Sequence, residues 1–408
     1  MNDRMRRLCA WALVLALVGP APARAARPSP QAAQPPLQAA AGQIVGADQA
    51  FLLVAEDGEV LAAQHESRPV HPASVSKVAA TLALLDALGP DHRFRTRIET
   101  AAPLEGGVLR GDLQVRADQD PFLVTEPVLQ MAARLRAAGI EQVEGELLVD
   151  GGLIFNWKTD ASAGLRRALA GEGCAEVLDE VRRHAGESAP EDCEAVAIEV
   201  RGKPFPAAGT RPGRVLVIWE SPPLLRILKE LNGWSNNIFE PLAQYRLPGG
   251  TTAAVRAALP AEFAEEVRID NAAGLGRTNR LSPRAAVAVL AALEEHLAAH
   301  DLALRDVLPV AGDDAGTLQD RLAEPELRRA VVAKTGTIPS QQVSALAGVA
   351  RTERWGRVRF AILNGGIPVP DARARQDQLL RHLFAEGGAL ALPGASEAVP
   401  AWAEGRLR

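Results

Sequence analysis

The chain has 408 residues, of which 47% are hydrophobic and 23% charged, with 45 Lys and Arg against 50 Asp and Glu. That length allows two domains, or one domain with a large insertion, and the composition is that of a soluble globular protein. A net charge of −5, with arginines dispersed among acids, supplies no basic field and argues against a nucleic-acid partner.

In chain order, residues 1–25 read as a secretory signal peptide. Arg4, Arg6 and Arg7 precede an apolar run over 8–18, and the small-residue site Ala23-Arg24-Ala25 follows. The run is too short to span a bilayer, and the reading finds no transmembrane segment later, so the mature chain is expected to be soluble and periplasmic. Residues 26–41, rich in Pro, Ala and Gln, read as a disordered linker. Residues 42–100 begin a main domain, with a hairpin around Asp57-Gly58. A helix follows with Val78, Leu82, Leu85 and Leu88 on one face, ending near Gly89-Pro90. Short strands, one helix and a cysteine pair mark 101–215 as an inserted domain. Residues 216–391 return to the main domain: an amphipathic helix over 222–232, further helices, then three antiparallel strands and a closing helix. Residues 392–408 read as a loose tail. The first and last β segments can share one sheet, which makes the fold class α+β with helices gathered on one side.

Cys9 leaves with the signal peptide. Cys174 and Cys193 remain and are expected to pair as a disulfide in an oxidising compartment. His296 and His300 are one helical turn apart, but Leu297 stands where a zincin motif requires glutamate, so no metal is expected.

Only five of the 45 basic residues are lysines: Lys77, Lys158, Lys203, Lys229 and Lys334. Two of them lie in short motifs that can bear chemistry. In Ser74-Val75-Ser76-Lys77, residues three apart share a helical face, so Ser74 meets Lys77 whereas Ser76 meets Ala79. A serine hydroxyl needs a base before it is a good nucleophile. Lysine can be that base once its pKa falls from about 10.4 to about 7–8, roughly 4 kcal/mol against the charged form, through burial and a nearby cation. Arginine cannot release its proton. Taken alone, such a motif is more often a capped helix start with a solvated lysine.

Ser235-Asn236-Asn237 follows the Asn232-Gly233 turn. Ser235 can relay a proton and Asn237 can donate to a substrate carbonyl, although capping is the commoner use of these residues. Lys334-Thr335-Gly336 follows an apolar run. On an edge strand, Gly336 would let a peptide backbone lie against it, and Lys334 would supply the cation that depresses Lys77. Charge is most of what position 334 provides, so arginine is expected to be better tolerated there than at 77.

Together and in this order, the three motifs match the signature of penicillin-binding proteins and class A β-lactamases. With "PASVSKVAATLALLDALGPDHRFRT", "GDLQVRADQDPFL", "DNAAGLGRTNRLSP", "LPVAGDDAGTL" and "AKTGT", the chain resembles the serine D-alanyl-D-alanine carboxypeptidases of the penicillin-binding protein 4 type, peptidase family S13, over most of 45–370. The resemblance implies a penicillin-binding-protein/serine β-lactamase-like fold with an inserted domain and no cofactor. It implies a serine D,D-peptidase that cleaves the terminal D-Ala from peptidoglycan stem peptides, with D,D-crosslinks as a further substrate class and β-lactams as acylating ligands.

By the same resemblance Ser74 is the acylated nucleophile and Lys77 its base. Ser235 and Asn237 belong to the proton and hydrogen-bond network, and Lys334 to its electrostatic part. The N–H groups of Ser74 and Thr337 form an oxyanion hole, with Gly336 between the flanking threonines. The hydroxyls of Thr335 and Thr337 hold the terminal carboxylate, and Arg277 lies near the substrate. The rival readings are a non-catalytic periplasmic module that binds cell-wall peptide or β-lactam, and a β-lactamase. The chain departs from the family at Ala273 and Gly276, at Pro241, at Ile338-Pro339, and in a shortened insertion around the cysteine pair.

Overall fold

The computed structural model describes residues 36–159, 161–186, 189–209, 212–394 and 399–408. The expected signal peptide and the linker up to residue 35 lie outside the described residues. The principal elements, numbered in chain order, begin with α1 (Pro36–Val45), β1 (Ala50–Val54), β2 (Val60–Gln64) and α2 (Ser76–Leu88). Next come β3 (Arg95–Thr100), β4 (Leu113–Arg116), α3 (Thr125–Ala137), β5 (Leu147–Asp150), α4 (Ser162–Leu169), α5 (Cys174–His184), β6 (Pro204–Pro206) and β7 (Arg214–Glu220). The remainder is α6 (Leu224–Gly233), α7 (Phe239–Arg246), α8 (Gly250–Ala257), α9 (Pro283–Ala298), β8 (Val331–Ile338), β9 (Val343–Thr352), β10 (Gly356–Gly365), α10 (Val369–Gly387) and β11 (Arg406–Leu407).

The hairpin at Asp57-Gly58 forms as expected, and β1 pairs with β10, Leu52 opposite Ala361. The early and late strands therefore close one antiparallel sheet in the order β8-β9-β10-β1-β2. Side chains alternate across it. Phe360 and Ile362 share a core with Leu37 and Ala41 of α1 and Leu379, Leu380 and Leu383 of α10. Ala361 and Leu363 share another with Leu82 of α2 and Leu290 of α9. Helices thus cover both faces rather than one. The reason is visible in β9, which is buried from Val343 to Ala350 without a break, as a strand packed on both sides must be.

Two further expectations change. Residues 36–41 belong to α1 rather than to a disordered linker, because Leu37, Ala41 and Val45, four apart, are fully buried. Helix α2 is not amphipathic: every residue from Ser76 to Leu85 is buried, so it runs through the interior.

A second sheet has the order β6-β5-β4-β3-β7-β11, with β4, β5 and β6 parallel and the other pairs antiparallel. It takes in β3 and β7, so this layer begins before residue 101 and extends past 215. Asp120, buried before α3, accepts the Phe122 N–H at 2.8 Å and the Trp219 Nε1–H at 3.2 Å, which ties the entry to α3 to β7. Burial raises its pKa to about 7. The tail is not wholly loose: Trp402 is buried and Leu407 pairs with Trp219. Cys174 and Cys193 are joined as a disulfide.

Replacing both cysteines by serine is expected to lower the unfolding free energy in urea by ~3 kcal/mol, the chain-entropy value for a loop of this order of length. Peptide mapping without reductant should recover the crosslinked pair; two free thiols in protein taken from an oxidising compartment would contradict it.

Candidate active site

Ser74 lies in a short 3-10 turn, Ala73–Val75, that runs directly into α2. Ala73 has φ 46°, a left-handed conformation uncommon for a residue with a Cβ. His71 supports it through Nδ1, which accepts the Ala73 N–H at 3.0 Å. Backbone strain of this kind, roughly 1–3 kcal/mol, persists only where the surroundings enforce it. Two glycines close on the turn. A Cβ on Gly336 would lie 2.7 Å from Pro72 O and 3.0 Å from Ser74 N, and one on Gly274, itself at φ 82°, would lie 2.0 Å from Ala73 O. Gly336 therefore makes room for the nucleophile's own turn.

Lys77 Nζ lies 2.9 Å from Ser74 Oγ, 2.5 Å from the Ala273 carbonyl oxygen and 3.5 Å from Asn237 Oδ1. Ser74 Oγ is itself 3.2 Å from the same carbonyl. Lys77 is wholly buried and has no carboxylate partner among the described residues; burial brings its pKa down to about 7. Ser76 is also buried, and its Oγ accepts from Asn279 Nδ2 at 2.9 Å. The three-residue spacing thus separates a serine facing the amine from one used in packing.

Lys334 is equally buried, with Nζ donating to Thr335 O at 2.8 Å. Its pKa is held well below the usual lysine range, by burial first and by the charge of Lys77 second. Burial is the first cause of the fall at Lys77, and the repulsion between the two ammonium groups acts on both. An arginine at 334 would have to bury a larger and permanently charged guanidinium.

Ser235, Asn236 and Asn237 link α6 to α7. Ser235 is left-handed, φ 56°, and Asn236 caps the next turn by accepting the Ile238 N–H at 2.9 Å. Of the three, Asn237 reaches Lys77; the Ser235 hydroxyl makes no hydrogen bond among the described residues. Strand β8 forms the sheet edge. The Ala333 N–H turns outward to Pro309 O at 3.1 Å, and antiparallel alternation then turns the N–H groups of Thr335 and Thr337 outward too. Thr335 Oγ1 lies 2.8 Å from Thr317 Oγ1, and Thr337 Oγ1 accepts from Arg373 Nη2 at 2.9 Å. Arg277 is exposed, and its one hydrogen bond among the described residues is through its carbonyl, which accepts from Arg280.

The model of the D-Ala-D-Ala carboxypeptidase 3 (S13) family matches residues 33–163 and 165–385. The chain belongs to this family. It is 24% identical over 430 residues to the D-alanyl-D-alanine carboxypeptidase DacB of Haemophilus influenzae, covering 80% of this chain and 88% of the relative. Its fold is similar to that of the penicillin G-acylated Bd3459 predatory endopeptidase from Bdellovibrio bacteriovorus, at a TM-score of 0.71 and 21% identity over 86% of this chain and 95% of the other. Penicillin binding protein 4 from Haemophilus influenzae is also similar, at a TM-score of 0.59 and 20% identity over 85% of this chain and 98% of the other. The α+β class and the penicillin-binding-protein fold expected from the motifs are those of the S13 peptidases.

In this S13 peptidase three of the departures noted in the sequence have a clear place in the structure. Ala273 contributes a carbonyl. Pro241 is in the first turn of α7, where its missing N–H has no helical partner to lose. Pro339 opens a turn whose Gln341 Nε2 donates to Gly276 O at 2.7 Å, tying two loops beside the site. Several contributors were missed by the sequence reading: Gly274, His71, Arg373, and Glu240, which accepts the Ala272 N–H at 2.5 Å and so steadies the neighbouring carbonyl. A glycine in "AAGLGR" was visible, but nothing local announced that it would meet residue 73.

Gly274→Ala and Gly336→Ala are each expected to slow acylation by a β-lactam by about 10²-fold or more, the effect of displacing a nucleophile by about 1 Å. Stopped-flow acylation, with circular dichroism to check folding, tests this; a folded variant of either kind that acylates at the native rate would show that the glycines do not hold the turn.

Proposed function

We propose that this S13 carboxypeptidase is a periplasmic serine D,D-peptidase that removes the terminal D-Ala of peptidoglycan stem peptides through an acyl-enzyme on Ser74, and that β-lactams acylate the same oxygen. The observation that carries the reading is a desolvated amine: Lys77, with a pKa near 7, stands 2.9 Å from Ser74 Oγ. Neutral Lys77 donates one N–H to the Ala273 carbonyl and keeps its lone pair for the Ser74 proton. As that proton leaves, Oγ attacks the carbonyl of the penultimate D-Ala. The oxyanion forms against the N–H groups of Ser74 and Thr337, the second already turned outward at the sheet edge. The proton on Lys77 passes through Ser235 to the departing amine, and the Asn237 amide donates to the acyl chain. Water then cleaves the ester by the reverse proton path.

An exported location fits the charged, apolar and small-residue order of 1–25 and a disulfide-bonded mature chain. No helix among the described residues is long and apolar enough to cross a membrane.

The test is incubation with fluorescent penicillin and with a diacyl-D-Ala-D-Ala peptide. Ser74→Ala should lose both labelling and D-Ala release, Ser76→Ala should keep much of each, and mass spectrometry should find the adduct on Ser74. An adduct on Ser76 would falsify the assignment.

The pH dependence follows from the sign of the shift. The base must be neutral, and Lys77 titrates near 7, so acylation should be full above that pH and fall below it. The fall should be about tenfold for each pH unit once Lys77 is mostly protonated. Lys77→Arg should cost about 10²- to 10⁴-fold or more and remove this limb. A folded Lys77→Arg variant acylating near the native rate would mean that the base is elsewhere.

A further inference from the structure

A cleft of about 470 Å³ lies against α6, and none of the residues lining it belongs to the group around Ser74 and Lys77. A space of this size suits a small ligand. Four cations and four acids line it, and most of them are engaged. Arg226 donates to Glu404 at 2.6 Å and to Val399 O at 3.0 Å. Lys229 pairs with Asp314 and donates to the carbonyls of Arg305 and Leu308. Arg329 pairs with Asp313 and donates to the carbonyls of Leu392 and Pro393. Asp306 accepts the Ala303 N–H. Two charges remain, one of each sign. The Glu230 carboxylate and the Arg305 guanidinium have no hydrogen-bond or ion-pair partner among the described residues, each other included. Glu230 is half-buried, and burial pushes its pKa up against the pull of Arg226 and Lys229. A carboxylate withdrawn from water without a partner is costly, and an incoming cation removes that cost. Four residues on, the Trp234 N–H donates to Glu230 O, and the Trp234 side chain is 61% exposed in the same cleft. An indole face is the best aromatic partner for a cation.

We propose that this cleft is a second binding site, for a free amino acid or short peptide in its zwitterionic form, with the ammonium at Glu230 and Trp234 and the carboxylate at Arg305. A simple anion would face the unpaired Glu230, and a simple cation would leave Arg305 unused, so the two open charges together select a ligand that carries both signs. Arginine suits the carboxylate end because its planar fork can meet both oxygens. The naming of the ligand rests on the D,D-peptidase reading above: each turnover releases D-alanine, a molecule of this kind. The chemistry of the cleft does not depend on that reading. The site is separate from the acyl-enzyme but adjoins it, since Trp234 is followed directly by Ser235 and the Gly233 carbonyl accepts the Thr317 N–H at 3.0 Å.

The experiment is calorimetric titration of the Ser74→Ala protein, in which no peptide is turned over, with D-alanine and with D-alanyl-D-alanine. Both should bind saturably. N-acetyl-D-alanine, which lacks the ammonium, and D-alaninamide, which lacks the carboxylate, should each bind about 10-fold more weakly or worse, the effect of losing a hydrogen bond to a charged group. Adding Glu230→Gln should weaken D-alanine by a similar factor and leave N-acetyl-D-alanine where it was. Adding Arg305→Ala, at an exposed position that folding should tolerate, should weaken D-alanine and leave D-alaninamide where it was. The absence of saturable binding by either probe would overturn the proposal. So would binding that neither substitution changes, since the zwitterion would then sit elsewhere, the Ser74 site included. The D,D-peptidase reading is judged apart from this, by D-Ala release from the wild-type chain: no release, with binding at the cleft intact, would sink that reading alone.

Discussion

The chemistry depends on keeping one amine away from water and away from any counter-charge. A solvated lysine stays protonated far above neutrality, and a neighbouring carboxylate would hold it there more firmly. Lys77 meets neither condition. It projects from a helix that is enclosed along most of its length, and its nearest acceptors are a carbonyl, a hydroxyl and an amide. Glu240, in the first turn of α7, is engaged by the Ala272 N–H. The Ala273 carbonyl gives the amine a partner without favouring its charged form as a carboxylate would.

Around that amine, backbone atoms from three distant segments do most of the positioning. The turn at Ala73–Val75 carries the serine, the Ala272–Gly274 loop supplies the carbonyl, and β8 brings its outward N–H groups alongside. Close backbone approach is possible only where a Cβ is missing, which is why two glycines stand at the contacts. The contact at Ala273 is likewise made by the main chain.

The same burial makes the fold sensitive to pH in two opposite ways. The unfolded chain would protonate Lys77 and Lys334 at ordinary lysine pKa values, near 10.4, whereas the folded chain resists until lower pH. Lys77 therefore adds stability as pH rises from about 7 towards about 10, and Lys334 acts in the same direction. Asp120, with its pKa raised to about 7, works in the other direction: the folded state keeps a proton that the unfolded state releases near pH 4. Its contribution is lost as pH climbs through 7.

From residues alone it was possible to say which serine faces which lysine, because helical spacing is local, and why the residue at 77 is not arginine, because that is a property of the side chain. The joint order of three short motifs, the hairpin at Asp57-Gly58 and the closing of one sheet by both ends of the chain were legible for similar reasons. What only the tertiary structure decided concerns partners. The burial of Lys334, the carbonyl of Ala273, the two glycines pressed on residue 73, the contact of Thr335 with Thr317 and the place of Arg373 beside Thr337 all depend on contacts with other segments, most of them far along the chain. No periodicity marks such contacts in advance. The direction of a hydroxyl's hydrogen bond in particular is set by what the neighbouring group has already done with its own proton, so it exists only once the chain has folded.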